Sequence, residues 1–241
     1  LLIGGSSNIT LTPNGGARTL TISNAGLALQ VQAGSTLSLV GQSGGGTRSL
    51  TIGFAGAGNT VQIIGSLYLN TASNDPGILS TANSSVNVSG TLVKNGGTLN
   101  STTGTLSFAS GGQYLHQVDG GAIATATWNN GSLCQVTGVT STVPTGLNQS
   151  FSDFRWDNAG QAAGLTLNGQ LTTVNGNLTI NNTNLYSLSL ATAANSTYTL
   201  QVGNKLQVNA NSWLVINGGD NITATVNVGG DFEMTGPLSN S

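Results

Sequence analysis

The stretch with the densest chemistry in this chain is "DFRWD", in which Asp153 and Asp157 flank Arg155 and Trp156. Two carboxylates facing each other across a glycosidic bond are the machinery of glycoside hydrolysis. A guanidinium and an indole beside them suit hydroxyls and a sugar ring. On an extended strand, residues 153, 155 and 157 share one face and 154 and 156 the other. The same alternation supports a plainer reading: a solvated Asp–Arg–Asp face with Phe154 and Trp156 buried behind it. Surface ion pairs of that kind are common and weak. Asp153, Arg155, Trp156 and Asp157 are thus the candidate ligand-binding residues, and a glycan is the ligand class they fit.

Other chemistry is sparse. His116 is the single histidine, with Asp119 three residues on in "YLHQVDGG". A Ser-His-Asp triad is recognised by three-dimensional geometry, and a serine-rich chain offers no discrimination by sequence alone. Cys134 is the single cysteine. It has no internal disulfide partner and no activating neighbour, so a small buried apolar residue is expected there. One His and one Cys leave a zinc site short of nitrogen and sulfur ligands. No grouped Asp pattern marks a calcium loop. The stretch "GQSGGGTRS" (41–49) resembles a phosphate-binding loop only loosely. It has Thr47-Arg48 where Lys and Ser/Thr are needed, and "SLTIG" after it reads as a strand, so a turn is expected. No catalytic residue, metal ligand or cofactor is assigned.

Tryptophans Trp128, Trp156 and Trp213 could stack on sugars, yet each lies in an alternating stretch that favours a core position. The threonine pairs Thr19/Thr21, Thr125/Thr127 and Thr223/Thr225 raise ice binding, which needs a flat ladder of threonines. These pairs do not recur at the repeat step described next, so strand propensity is the simpler reading.

These residues must be positioned by short strands. The chain has 241 residues, 37% hydrophobic and 5% charged. Gly, Ser, Thr and Asn dominate its polar fraction, and helix-driving Glu, Lys, Arg and Met are scarce. One decapeptide recurs: "TVQIIGSLYL" from 60, "SVNVSGTLVK" from 85, "LTTVNGNLTI" from 171, "TLQVGNKLQV" from 199 and "TVNVGGDFEM" from 225. A looser copy, "TLSFASGGQYL" from 105, falls in the gap. Such periods signal solenoids or propellers. Within each copy apolar residues alternate, and a Gly or Asn between the halves permits a bend, even with φ > 0. Each copy therefore reads as two strands meeting at a corner.

A lone corner cannot bury its apolar face, whereas copies stacked in register can. The expected fold is all-β, a parallel β-helix (β-solenoid) with about 25–28 residues per coil. Val174 would lie over Val202 and Val228, and Leu178 over Leu206 and Phe232. A propeller with two repeats per blade is the main rival. Residues 1–241 read as a single solenoid segment of a longer chain. Residues 119–164 break the rhythm and read as irregular coils with longer loops, where binding tends to sit. Asn-rich bends fit amide ladders along the stack.

The formal net charge is -2, and Arg18, Arg48, Lys94, Arg155 and Lys205 are scattered. That argues against nucleic acid, which needs clustered basic residues. No apolar run is long enough for a spanning helix. Aromatics are 5% of the chain, too few for the girdles of a membrane barrel. Membrane insertion is not expected.

The segments "ATWNNGSLCQVTGV", "GLNQSFSDFRWDNAGQ" and "LTLNGQLTTVNGNLTI", spanning roughly residues 120 to 185, resemble repetitive surface proteins of Bacteroidetes-type bacteria. Those proteins are exported by the type IX system and often carry a C-terminal sorting domain. No sorting domain is visible in this chain. The resemblance implies an extracellular or cell-surface location and a structural or adhesive role, and carries over no catalytic residue. The resulting expectation is a non-catalytic stalk or shaft of an adhesin or filament. Its expected partners are surface glycans, other copies of itself, or the outer-membrane secretion machinery. A carbohydrate-binding or carbohydrate-cleaving β-helix and an ice-binding solenoid are the alternatives.

Overall fold

The computed structural model describes residues 1–23, 25–101, 105–236 and 238–239, the last two as backbone only. Every regular element among them is a strand, and there is no helix. The pairing is parallel almost throughout. Two compact units are present: 1–117 with 124–129, and 118–123 with 130–241.

The first unit is three columns of parallel strands. One runs through Leu2–Ile3, Gly26–Val31, Asn59–Ile63, Ser84–Val88, Leu106–Phe108 and Thr127–Trp128. A second runs through Asn8–Leu11, Thr36–Leu39, Ser66–Ala72, Thr91–Asn95 and Gln113–His116. A third holds Arg18–Ile22, Leu50–Phe54, Asp75–Ser80 and Thr98–Asn100. The alternation read in the decapeptides sets the burial. Val61 pairs with Val86 and Ile63 with Val88, all buried, while Gln62 pairs with Asn87 on the outside. The strands of the looser copy, Leu106–Phe108 and Gln113–His116, pair with the preceding repeat in the same way. Near one end of this core, Phe108 stacks on Trp128 at 4.5 Å and 6° between ring planes, with Tyr114 edge-on to both.

The second unit also has three columns. Ser150–Phe151, Thr173–Val174, Thr197–Val202 and Thr223–Val228 form one. Another joins Leu133–Val136, Asp153–Asp157, the first half of Leu178–Ala191, the first half of Leu206–Asn217, and Phe232–Met234. The later halves of the two long strands pair with each other and with Leu165–Thr166 and Leu238–Ser239. The expected register is present: Val174 pairs with Val202 and Val202 with Val228, while Leu178 pairs with Leu206 and Leu206 with Phe232. Two continuous inner files result, Cys134–Phe154–Leu178–Leu206–Phe232 and Val136–Trp156–Ile180–Val208–Met234. All but the last member of each file are buried.

Two details differ from the sequence reading. The step between paired residues varies more than 25–28: it is 20 from Cys134 to Phe154 and 32 from Val31 to Ile63. Most of the extra length is taken up between strands, and local register shifts within strands absorb the rest. The corner glycines are also needed for a different reason. Gly90 and Gly203 do not have positive φ. A Cβ on Gly90 would collide with the backbone oxygens of Ile64 and Gly65, and one on Gly203 with Asn175 O. Close approach between successive turns selects glycine here.

Candidate functional site

The strand Asp153–Asp157 alternates as its sequence requires. Phe154 and Trp156 are fully buried, and Asp153, Arg155 and Asp157 stand on the outer face, partly exposed. The four candidate ligand residues therefore do not converge. Trp156 lies between Val136 and Ile180 in the inner file. Its Nε1–H donates to Gln161 Oε1 at 3.1 Å. With its ring enclosed, the indole presents no face to a ligand.

The two outward carboxylates are engaged by neighbouring strands, whereas Arg155 Nε is buried without a hydrogen-bond partner. Asp153 Oδ1 accepts the Asn177 backbone N–H at 2.6 Å, bracing the corner of the next turn. Asp157 Oδ2 accepts from Gln135 Nε2 at 3.1 Å, and its Oδ1 accepts from Asn181 Nδ2 at 2.8 Å. Asn209 Nδ2 in turn donates to Asn181 Oδ1 at 2.6 Å. Gln135, Asp157, Asn181 and Asn209 thus form one side-chain ladder across four successive strands. Arg155 Nε sits 3.7 Å from Asp157 Oδ2, an ion pair too long for a hydrogen bond. This face is built to tie strands together.

The same device recurs. Asn95 donates to Asn70 and Asn70 to Ser38; Asn204 donates to Asn177; Gln30 donates to Gln62. Asn-rich bends announced amide ladders in sequence, but the part played by Asp157 and Gln135 was not visible there. Only the register brings residue 135 beside 157.

The remaining candidates are structural in their settings. His116 is buried, with Nδ1 3.4 Å from the Tyr114 hydroxyl. Asp119 is exposed and lies in the second unit, where Oδ1 accepts the backbone N–H groups of Thr140, Ser141 and Thr142 and Oδ2 accepts the Ser141 hydroxyl. Desolvation is the largest single influence on Asp119 and opposes its ionisation. The four donors outweigh that and hold the carboxyl well below the usual carboxylate range. Cys134 is fully buried, and burial pushes its thiol up, which removes it as a nucleophile at neutral pH. Residues 41–49 form no helix start. Arg48 Nε donates to Gly45 O, and the Arg48 N–H donates to Asp75 Oδ1. An open cleft of about 600 Å³ beside this turn is lined by Thr47, Ser49, Asn74 and Asp75 among others. Among the described residues no three His, Cys, Asp or Glu side chains group into a metal site.

Two aromatic and threonine expectations are refined. Trp128 and Trp156 are core, whereas Trp213 is exposed. Thr197 and Thr199, which sequence reading passed over, pair with Thr223 and Thr225. The threonine pairs therefore do recur at one 26-residue step, as an exposed two-by-two array on two neighbouring strands.

Comparison with known proteins finds no matching family model and no significant match among curated proteins or solved structures.

Proposed function

We propose that this chain is a structural, non-catalytic module, a stalk or shaft of a secreted or cell-surface bacterial adhesin or filament, built as a parallel β-helix. The observation that carries the reading is the register. Equivalent residues of successive repeats pair directly, as in Leu178–Leu206–Phe232, and outward amides repeat the same connection along the stack. Such a unit buries its apolar face only against its own copies, so its natural product is length and stiffness. The two carboxylates that looked most like chemistry, Asp153 and Asp157, are engaged in that stacking, which supports a non-catalytic role. The surface location rests on the resemblance to type IX-exported repeat proteins.

Small-angle scattering and cell-surface proteolysis test this together. The expected result is a rod-like cross-section scattering profile for the purified chain. Protease shaving of intact source cells is expected to release its peptides. A compact globular profile, or peptides confined to the cytosolic fraction, would overturn the proposal. So would turnover of any polysaccharide that is lost on Asp153→Ala or Asp157→Ala.

A further inference from the structure

Strand Leu178–Ala191 does not run evenly beside Leu206–Asn217. Asn182 pairs with Asn211, and the next pair is Ser187 with Trp213. Thr183 to Tyr186 therefore stand opposite Ser212 alone, and three extra residues are pushed out. Asn184 and Leu185 are consecutive non-glycine residues with positive φ, 50° and 62°. A leucine in that region is an outlier, and such conformations persist only where the surroundings dictate them.

The surroundings do dictate it. The Asn184 N–H donates to Asn182 Oδ1 at 2.8 Å, and Asn184 Nδ2 donates to Gln161 O at 3.0 Å. Gln161 Nε2 donates to Ser187 O at 3.1 Å, while its Oε1 is held by Trp156. On the other side, buried Thr183 accepts the Trp213 N–H on Oγ1 at 3.0 Å, and Ser212 Oγ donates to Ile180 O. The bulge is fixed from the turn before it and the turn after it.

What this costly arrangement presents is apolar. Leu185 is 59% exposed, Tyr186 42% and Trp213 38%, with Trp213 in register with the residue that follows Tyr186. Nothing in the core is gained by placing these side chains in water. No charged residue lies between Asp157 and Lys205, or between Lys205 and Asp220. Asn184 and Asn211, both exposed, flank the rings. Across the sheet Asp157 pairs with Asn182 at the start of the bulge, and both of its oxygens are already taken by Gln135 and Asn181. Phosphate ligands need clustered cations, and cationic ligands favour a carboxylate beside the aromatic ring; neither a cation cluster nor an unengaged carboxylate is in register with the bulge. Two exposed aromatic side chains on neighbouring strands, set among amides, suit a ligand with one C–H-rich face and hydroxyls at its edge. We infer that Tyr186 and Trp213, with Leu185, form a binding platform for a neutral glycan. The inference is independent of where the chain is displayed and of its role as a shaft.

The test is a glycan array of neutral and charged oligosaccharides probed with the whole chain. Titration of the best neutral oligosaccharide by isothermal calorimetry follows, which reads binding equally in the variant that lacks Trp213. At least one neutral glycan is expected to bind. Trp213→Ala and Tyr186→Ala should each weaken it about tenfold or more, the loss of one aromatic contact. Asp153→Ala should leave binding unchanged, which separates this platform from the Asp153–Asp157 face. Both aromatic positions are exposed, so urea midpoints should match the parent chain and exclude unfolding as the cause. Binding restricted to charged glycans, binding to none, or neutral-glycan binding that survives both aromatic substitutions would each overturn the assignment.

Discussion

Asp157 and Asn181 lie on adjoining strands, and a 2.8 Å hydrogen bond from Asn181 Nδ2 to Asp157 Oδ1 joins them. Asp157 also accepts from Gln135 on the preceding strand, so one carboxylate collects donors from both directions of the stack. An acceptor-only group fits such a node, because an amide ladder has a polarity and must terminate on an acceptor. The residue that looked most like half of a catalytic pair is the anchor of a structural ladder.

Asp157→Ala should therefore destabilise the chain by about 1–3 kcal/mol, since it strands donors of two partly buried amides. Asp157→Asn keeps one acceptor and should cost less. Urea unfolding followed by circular dichroism reads both. Equal, negligible effects would mean the ladder contributes nothing to stability.

Leu206 sits between Leu178 and Phe232 in the inner file and is 2% exposed. Its neighbour Lys205 points outward and pairs with Glu233 at 2.6 Å. Leu206→Asp should cost about 3–5 kcal/mol, as a carboxylate is driven into an apolar column. Lys205→Ala should cost less than about 1 kcal/mol, the scale of an exposed ion pair. Chemical denaturation of the two variants in parallel gives the comparison. Similar losses would contradict the in/out alternation of this strand.

Gly203 is the bend of the repeat "TLQVGNKLQV", and its N–H donates to Val174 O on the turn below. A methyl group there would strike the Asn175 carbonyl oxygen, which is backbone and cannot step aside. Gly203→Ala should cost at least about 2 kcal/mol despite an ordinary φ. Gly45 has nothing near its missing Cβ and no positive φ. Gly45→Ala should be neutral within about 0.5 kcal/mol. Thermal melts of both distinguish a packing requirement from general glycine intolerance.

The parallel register was legible because period-two burial and a recurring bend leave one way to overlay the copies. Leu178, Leu206 and Phe232 occupy the same place in each decapeptide, and they pair. The site was less legible. Trp156 stands next to Arg155 in sequence, and the strand puts them on opposite faces. Gln135 is 22 residues from Asp157 and touches it only because the register of the two strands sets them side by side. The Leu185–Tyr186 bulge left no mark in the alternation, since it depends on a count of residues relative to the neighbouring strand.

Asp119 makes stability depend on acid. Desolvation raises its carboxyl pKa, but three N–H donors and a hydroxyl together outweigh that and hold the folded carboxyl below the usual range. A depressed folded-state pKa gives stabilisation that is complete above the unfolded value, about 3.9 for Asp. It is lost progressively as pH falls below that value toward the folded one. Asp119 is exposed, so solvent screening limits the size of the effect. Urea midpoints of the parent chain should fall between pH 5 and pH 2 more steeply than those of Asp119→Asn. Superimposable curves would show that the loop grip on Asp119 carries no free energy.

Cys134 offers a probe of the second unit that needs no substitution. It pairs with Phe154, which pairs with Leu178, and all three are buried. Burial raises its thiol pKa and blocks access, so both thiolate supply and approach of a reagent are suppressed in the folded state. Modification by an aromatic disulfide reagent at pH 8 should be limited by opening of this column and become immediate in denaturing urea. The labelling rate of Leu206→Asp should then rise with its lost stability, because Cys134 and Leu206 share one file. Lys205→Ala should label like the parent chain. Rapid stoichiometric labelling of the folded parent would mean that the file is open at Cys134, and the packing order Cys134–Phe154–Leu178–Leu206 would have to be redrawn.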